Sequence, residues 1–210
     1  TALQRVSDAA ARHSPPDFAN KPGNLNIQFP RRIIGAERIS VGDDVFLGPN
    51  CVLQAVSQYP GPAMTNDVYP VTPTPYRSRI EIGNRVSATG GLQVAAFDHI
   101  RIEDDVMFAT NVNLTDALHG FKQPDIPYKY QAMFRRAPIS IGKGSWIGQN
   151  VVILPGVSIG EQCIIGANST VTGSIPARTI AFGNPARVYK KWDEASQQWQ
   201  RTVESDRPLV

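Results

Sequence analysis

Three histidines, two cysteines and one short run of cations are the residues of this 210-residue chain whose chemistry could do more than hold a fold. Histidine ordinarily exchanges a proton near neutral pH, so His119 and, after it, His99 are the candidates for a general base, and His13 in the leading segment is incidental. Cys51 and Cys163 stand far apart and form no C-x-x-C unit, and no pair of histidines has ligand spacing, so no metal is expected. Both cysteines fall on positions that the repeat described next turns inward, where a thiol acts as a small hydrophobe. Arg187, Lys190 and Lys191 make a local cation cluster suited to a phosphate.

The elements that must position these groups follow a six-residue period. An aliphatic residue recurs at Ile141, Ile147, Ile153, Ile159, Ile165 and Val171, often followed by glycine, as at Gly142, Gly148, Gly160 and Gly166. Four places after each aliphatic come Ser145, Val151, Val157, Cys163, Ser169 and Ile175. Neither a helix nor one long strand gives this pattern; a short strand plus a corner does. Asp44, Asn50, Asp105, Asn111, Gly144, Asn150 and Asn168 occupy the corners, where a left-handed backbone is required. Three sides close a coil of about 18 residues, and stacked coils give an all-β solenoid. The register runs through Val41, Leu47 and Leu53, then Ile82, Ala88 and Val94, then Ile102, Phe108 and Leu114. With 141–158 and 159–176 this makes about five triangular coils. His99 and His119 both take the last place of a coil's third hexapeptide, which predicts adjacent rungs, and Trp146 faces outward.

Two proline-rich excursions, 54–80 and 120–138, interrupt the stack, and loops of that length are usually functional or disordered. The flanks read as short helices: 1–13 before the solenoid, and Asp193 to Arg201 after it, with Trp192 and Trp199 seven apart on one face. The expected organisation is an N-terminal segment 1–32 with a short helix, a repeat region 33–188 and a C-terminal helix and tail 189–210.

Composition narrows the function. Lys plus Arg is 21 against 18 Asp plus Glu, a net charge of +3, too slight for a protein that coats nucleic acid. No stretch approaches the ~20 apolar residues of a membrane span, and the first residues lack the pattern of a signal peptide, so the chain reads as soluble and cytoplasmic.

The run W-I-G-Q-N-V-V-I-L-P-G-V-S-I-G-E-Q-C-I-I-G-A-N-S-T-V at 146–171, followed by A-F-G-N-P-A-R-V at 181–188, resembles the hexapeptide-repeat acyltransferases. Within them it is similar to the sugar O-acetyltransferases of the galactoside, maltose and nodulation type and to polysaccharide O-acetylation enzymes. The resemblance implies a left-handed parallel β-helix, a homotrimer, and acetyl-CoA held between neighbouring subunits as co-substrate. The family's base precedes the loop that projects from the third coil, and the matching stretch N-V-N-L-T-D-A-L-H-G picks His119. A sugar hydroxyl is a poor nucleophile, and imidazole can take its proton as the oxygen attacks the thioester. By the same resemblance Gly148, Ala167 and Thr172 line the pantetheine arm, Trp146 packs near the thioester, and Arg187, Lys190 and Lys191 meet the ribose phosphate. Where the galactoside and maltose enzymes hold the acceptor with an asparagine this chain has Thr89, so Gln93, Asp98 or His99 are the substitutes at hand.

The expected activity is therefore acetyl transfer from acetyl-CoA to a saccharide hydroxyl. An amine acceptor, as in nucleotide-sugar N-acetyltransferases, and a non-catalytic β-helix scaffold remain open alternatives. A zinc hydratase of the same fold would need a histidine pair five residues apart, which this chain lacks.

Overall fold

The computed structural model of the chain describes residues 16–61, 64, 68, 69, 71 and 73–202; the helix expected over 1–13, and His13 with it, lie outside the described residues. Three parallel sheets form the sides of a prism. The first stacks β1 (Asn26–Ile27), β4 (Phe46–Leu47), β9 (Ser87–Ala88), β12 (Met107–Phe108), β17 (Trp146–Ile147), β20 (Ile164–Ile165) and β22 (Thr179–Gly183). The second stacks β2 (Arg31–Ile34), β5 (Cys51–Ala55), β10 (Gln93–Ala96), β13 (Asn113–Thr115), β18 (Val152–Ile153) and β21 (Thr170–Val171). The third stacks β3 (Ile39–Val41), β8 (Arg79–Ile82), β11 (His99–Ile102), β16 (Ile139–Ile141) and β19 (Ser158–Ile159). Each strand pairs with its counterpart one turn of the chain away, so the backbone amides are satisfied between coils rather than within them.

The six-residue register explains the core. Ile141, Ile147, Ile153, Ile165 and Val171 have no exposed surface, and Val151, Val157 and Cys163, four places on from their aliphatics, have none either. Both sets point to the prism axis, because residues two apart on a strand share a face. Cys51 and Cys163 are free and buried, and burial pushes the Cys51 thiol above its usual range, away from the reactive thiolate. Each corner residue expected to be left-handed is so, from Asp44 at φ 58° to Asn168 at φ 59°. Glycine after the aliphatic has a steric cause: a Cβ on Gly160 would lie 2.3 Å from the Ala177 amide nitrogen of the next coil.

Three features depart from the sequence reading. The stack starts at Asn26 rather than at 33, with Ile27 and Ile33 opposite Leu47 and Leu53. Those two keep the six-residue step but run out of phase with Val41, because a 3₁₀ turn at Ala36–Arg38 inserts extra residues. The C-terminal helix is absent. In its place β23 (Ala186–Asp193) folds back antiparallel on β22, and β24 (Gln198–Arg201) folds back on β23. Trp192 and Trp199 still share a face, but as directly opposed partners across a hairpin, rings 5.4 Å apart. Helical spacing and a seven-residue hairpin separation bring the same pair together, so spacing alone could not choose between them; the open edge of β22 decided it. Each excursion also has an ordered root, a two-residue antiparallel pair: β6 (Gln58–Tyr59) with β7 (Thr74–Pro75), and β14 (Leu118–His119) with β15 (Met133–Phe134). Pairs so short carry no readable periodicity.

Candidate active site

His119 stands at the root of the second excursion, opposite Met133 in the β14–β15 pair. Its exposed ring packs edge-on against Tyr59 of the first excursion, centroids 5.2 Å apart. Tyr59 in turn meets Phe97 edge-on at 6.1 Å, and its hydroxyl donates to the Lys129 carbonyl at 2.8 Å. Two loops far apart in sequence therefore close around one histidine, leaving its imidazole open on the side away from Tyr59.

Asp116, three residues before His119, is fully buried. Its carboxylate accepts the backbone N–H groups of Phe97 at 2.7 Å and Asp98 at 2.9 Å, and so fixes the corner between the second and third sheets. Burial pushes this carboxyl above its usual range, against the opposite pull of the two amide donors. Sequence reasoning passed over it. The available signal was an aspartate in step with Ala96, an inward position where the register calls for an aliphatic or small side chain.

His99 keeps its place in the coil, but His119 is not on the rung beside it. On β11 the His99 Nδ1 lies 3.2 Å from Arg79 Nη2, and its Nε2 lies 3.3 Å from Glu81 Oε1, off the line of a hydrogen bond. It belongs to a charged ladder on the outer face of the third sheet. The rung next to it comes from β16, with Ile100 opposite Ile139, because the chain carrying His119 has already left the coil. Asp98 shares the His99 corner, whereas Thr89 and Gln93 sit at the opposite end of β10, where Gln93 accepts from Asn113 at 3.3 Å.

Of the residues expected at the acyl donor, Trp146, Gly148 and Ala167 gather elsewhere, on the first sheet and its corner with the second, whereas Thr172 lies between the second sheet and the third. Trp146 is 46% exposed between Met107 and Ile164 on neighbouring rungs. Gly148 and Ala167 are stacked so closely that a Cβ on Gly148 would lie 2.7 Å from the Ala167 nitrogen, and the Gly148 amide itself donates to Ile165. Thr172 is exposed one residue past β21. A β-bulge at Tyr189 splits the cation cluster: Arg187, opposite Phe182, and Lys190, opposite Ile180, share one side of β23, and Lys191, opposite Thr179, takes the other. Among the described residues no group of three or more His, Cys, Asp or Glu side chains could hold a metal ion, and no helix is long and apolar enough to cross a membrane.

Residues 138–173 match the family described as bacterial transferase hexapeptide (six repeats), and residues 38–57 match the hexapeptide repeat of succinyl-transferase. WbbJ of Escherichia coli K12, assigned to lipopolysaccharide biosynthesis as an O-acetyl transferase, is 34% identical over 132 residues, covering 60% of this chain and 67% of that protein. The chain belongs to the hexapeptide-repeat acetyltransferase family. Galactoside O-acetyltransferase of the same organism is 34% identical over 128 residues, covering 59% of this chain and 60% of its own length. The chain thus spans three-fifths to two-thirds of these curated relatives. Family membership makes it an acyltransferase and implies a left-handed winding of the prism. The fold is shared with AntD, an N-acyltransferase from Bacillus cereus, at TM-score 0.58 and 20% identity, covering 93% of this chain and 89% of that one. It is shared also with a maltose O-acetyltransferase from Clostridium difficile, at 0.52 and 24%, covering 92% and 90%.

Proposed function

We propose that this protein transfers an acetyl group from acetyl-CoA to a saccharide hydroxyl, with His119 as general base. The observation that carries the reading is the placement of His119: an exposed imidazole at the root of a projecting loop, oriented by Tyr59, in a chain whose relatives are named as sugar O-acetyltransferases. The imidazole takes the acceptor proton as the hydroxyl oxygen attacks the thioester carbonyl. The C–S bond then breaks, and the imidazolium returns the proton to the departing thiolate, so His119 ends the cycle neutral and no acyl-enzyme forms.

The assembly follows from where the two half-sites lie. In one protomer His119 occupies the corner between the second and third sheets, which Thr172 shares, while Trp146, Gly148 and Ala167 lie on the first sheet and its corner with the second. A site built from both sets needs two copies, and a homotrimer of prisms supplies three equal clefts. The first sheet has a face for such packing: Phe46, Met107 and Trp146 are each 39–46% exposed along its stacked rungs. Arg187 is suited to the phosphates of the donor. Radiolabelled acetyl-CoA offered with a panel of oligosaccharides tests the reading. Alkali-labile label on the sugar is expected; alkali-stable amide product, or no transfer at all, would overturn it.

A further inference from the structure

The two excursions enclose a cavity of about 710 Å³ that begins one residue beyond His119. Gly120 and Met133, the neighbour and the strand partner of His119, belong to its wall, along with Tyr69, Tyr130, Phe134 and Lys122. Such a volume falls among pockets that hold ligands of several rings, ~300–1,000 Å³. Tyr69 and Tyr130 stack at 5.4 Å, one from each excursion. The loop is braced from within. Gln131 donates to the Gln123 and Ile126 carbonyls, both at 2.8 Å, and Tyr59 ties the first excursion to Lys129.

Charge distinguishes the loop that lines this cavity. Residues 120–138 hold Lys122, Lys129, Arg135 and Arg136 against the single carboxylate of Asp125, so this loop alone accounts for the whole chain's net charge of +3. Several surface cations elsewhere are matched, as Arg85 is with Asp104 and Asp105, Arg101 with Glu103, and Arg178 with Glu161 and Glu194. Among the described residues none of the four loop cations makes an ion pair; three lie over aromatic rings instead, Lys122 over Phe134, Lys129 over Tyr130 and Arg136 over Tyr76. Unmatched cations on a rigid aromatic platform fit a ligand that offers both an apolar ring face and an anion.

We infer that the cavity binds an anionic saccharide as the acetyl acceptor, its sugar rings against Tyr69 and Tyr130 and its negative group on Lys122. This rests on the reading of the protein as a saccharide acetyltransferase and names the acceptor's class. The anion can be a uronic carboxylate or a phosphate ester, and both satisfy the same lysine.

Titration calorimetry without donor separates these cases, using trigalacturonate, maltotriose 1-phosphate and maltotriose on the full chain. At least one charged trisaccharide should bind about tenfold or more tighter than maltotriose, and whichever does identifies the anion. Lys122→Gln should remove that advantage, a loss of about tenfold, while Lys122→Arg keeps it. Tyr130→Ala should weaken all ligands and Tyr130→Phe should not. The same three sugars are then offered with acetyl-CoA. Equal affinity for charged and neutral sugars, no binding of either charged sugar, or indifference to Lys122→Gln, would overturn the anionic assignment even if maltotriose is acetylated. Charge-dependent binding without acetyl transfer to any of the three would support the cavity's assignment and count against the transferase reading.

Discussion

The coils at 139–175 and the two excursions were made from the same chain under opposite rules. In the coils position is dictated by stacking: the inward aliphatics are buried, the corners are left-handed, and glycine appears where the next coil leaves no room for a Cβ. In the excursions ordering comes from a few long-range contacts, Tyr59 on Lys129, Tyr69 on Tyr130 and Tyr76 on Phe97. The rigid part positions and the irregular part recognises, and His119 sits on the seam between them. Substitutions on one side of that seam should cost stability and on the other side chemistry.

The largest effect is expected at the seam itself. His119→Ala should lower kcat by ~10²–10⁴ while the fold and the KM for acetyl-CoA stay near wild type, because the exposed ring lies outside the aliphatic core. Steady-state kinetics beside a thermal melt checks this; a variant that keeps more than about a third of wild-type turnover would remove the base from His119.

Ile153→Ala tests the coil side. Its side chain is fully buried in the middle of the stack, so truncation should cost ~2–5 kcal/mol in denaturant unfolding. Tyr130→Ala, by contrast, should leave the unfolding midpoint almost unmoved. If the two shift stability equally, the division between coil and excursion fails.

Gly148→Ala should cost ~1–3 kcal/mol, since the added methyl meets the Ile165 carbonyl at 2.7 Å and the coils must part to admit it. A neutral outcome would show the stack to be looser than its geometry states.

The smallest effect is at Asp116, and it depends on pH. Replacement by Asn leaves one of the Phe97 and Asp98 amides facing another donor, a loss of ~1–3 kcal/mol. The folded carboxyl holds its proton more tightly than the unfolded one, so its contribution is complete below the ordinary carboxylate range and is lost as pH rises through the raised value. The stability gap between wild type and Asp116→Asn should therefore narrow with rising pH. A gap that widens instead would mean that the two amide donors outweigh burial.

Most of the coil architecture was legible from residue order. A period of six with small residues four places on admits one solution, a strand and a corner, and Asn or Asp at the corners named the left-handed positions one by one. Trp146 and the cysteines fell where the register put them. The C-terminal hairpin was not legible: Trp192 and Trp199 meet equally well across a helix turn or a hairpin, and only the exposed edge of β22 favours the strand. The register also failed for His119, which it set on the rung beside His99, because a departing chain no longer obeys the period that led up to it. Tyr59 and the cavity between the loops were decided by tertiary structure alone. Their contacts join residues as far apart as Tyr59 and Lys129, and no local pattern encodes a meeting between two segments whose only shared feature is the coil edge from which both depart.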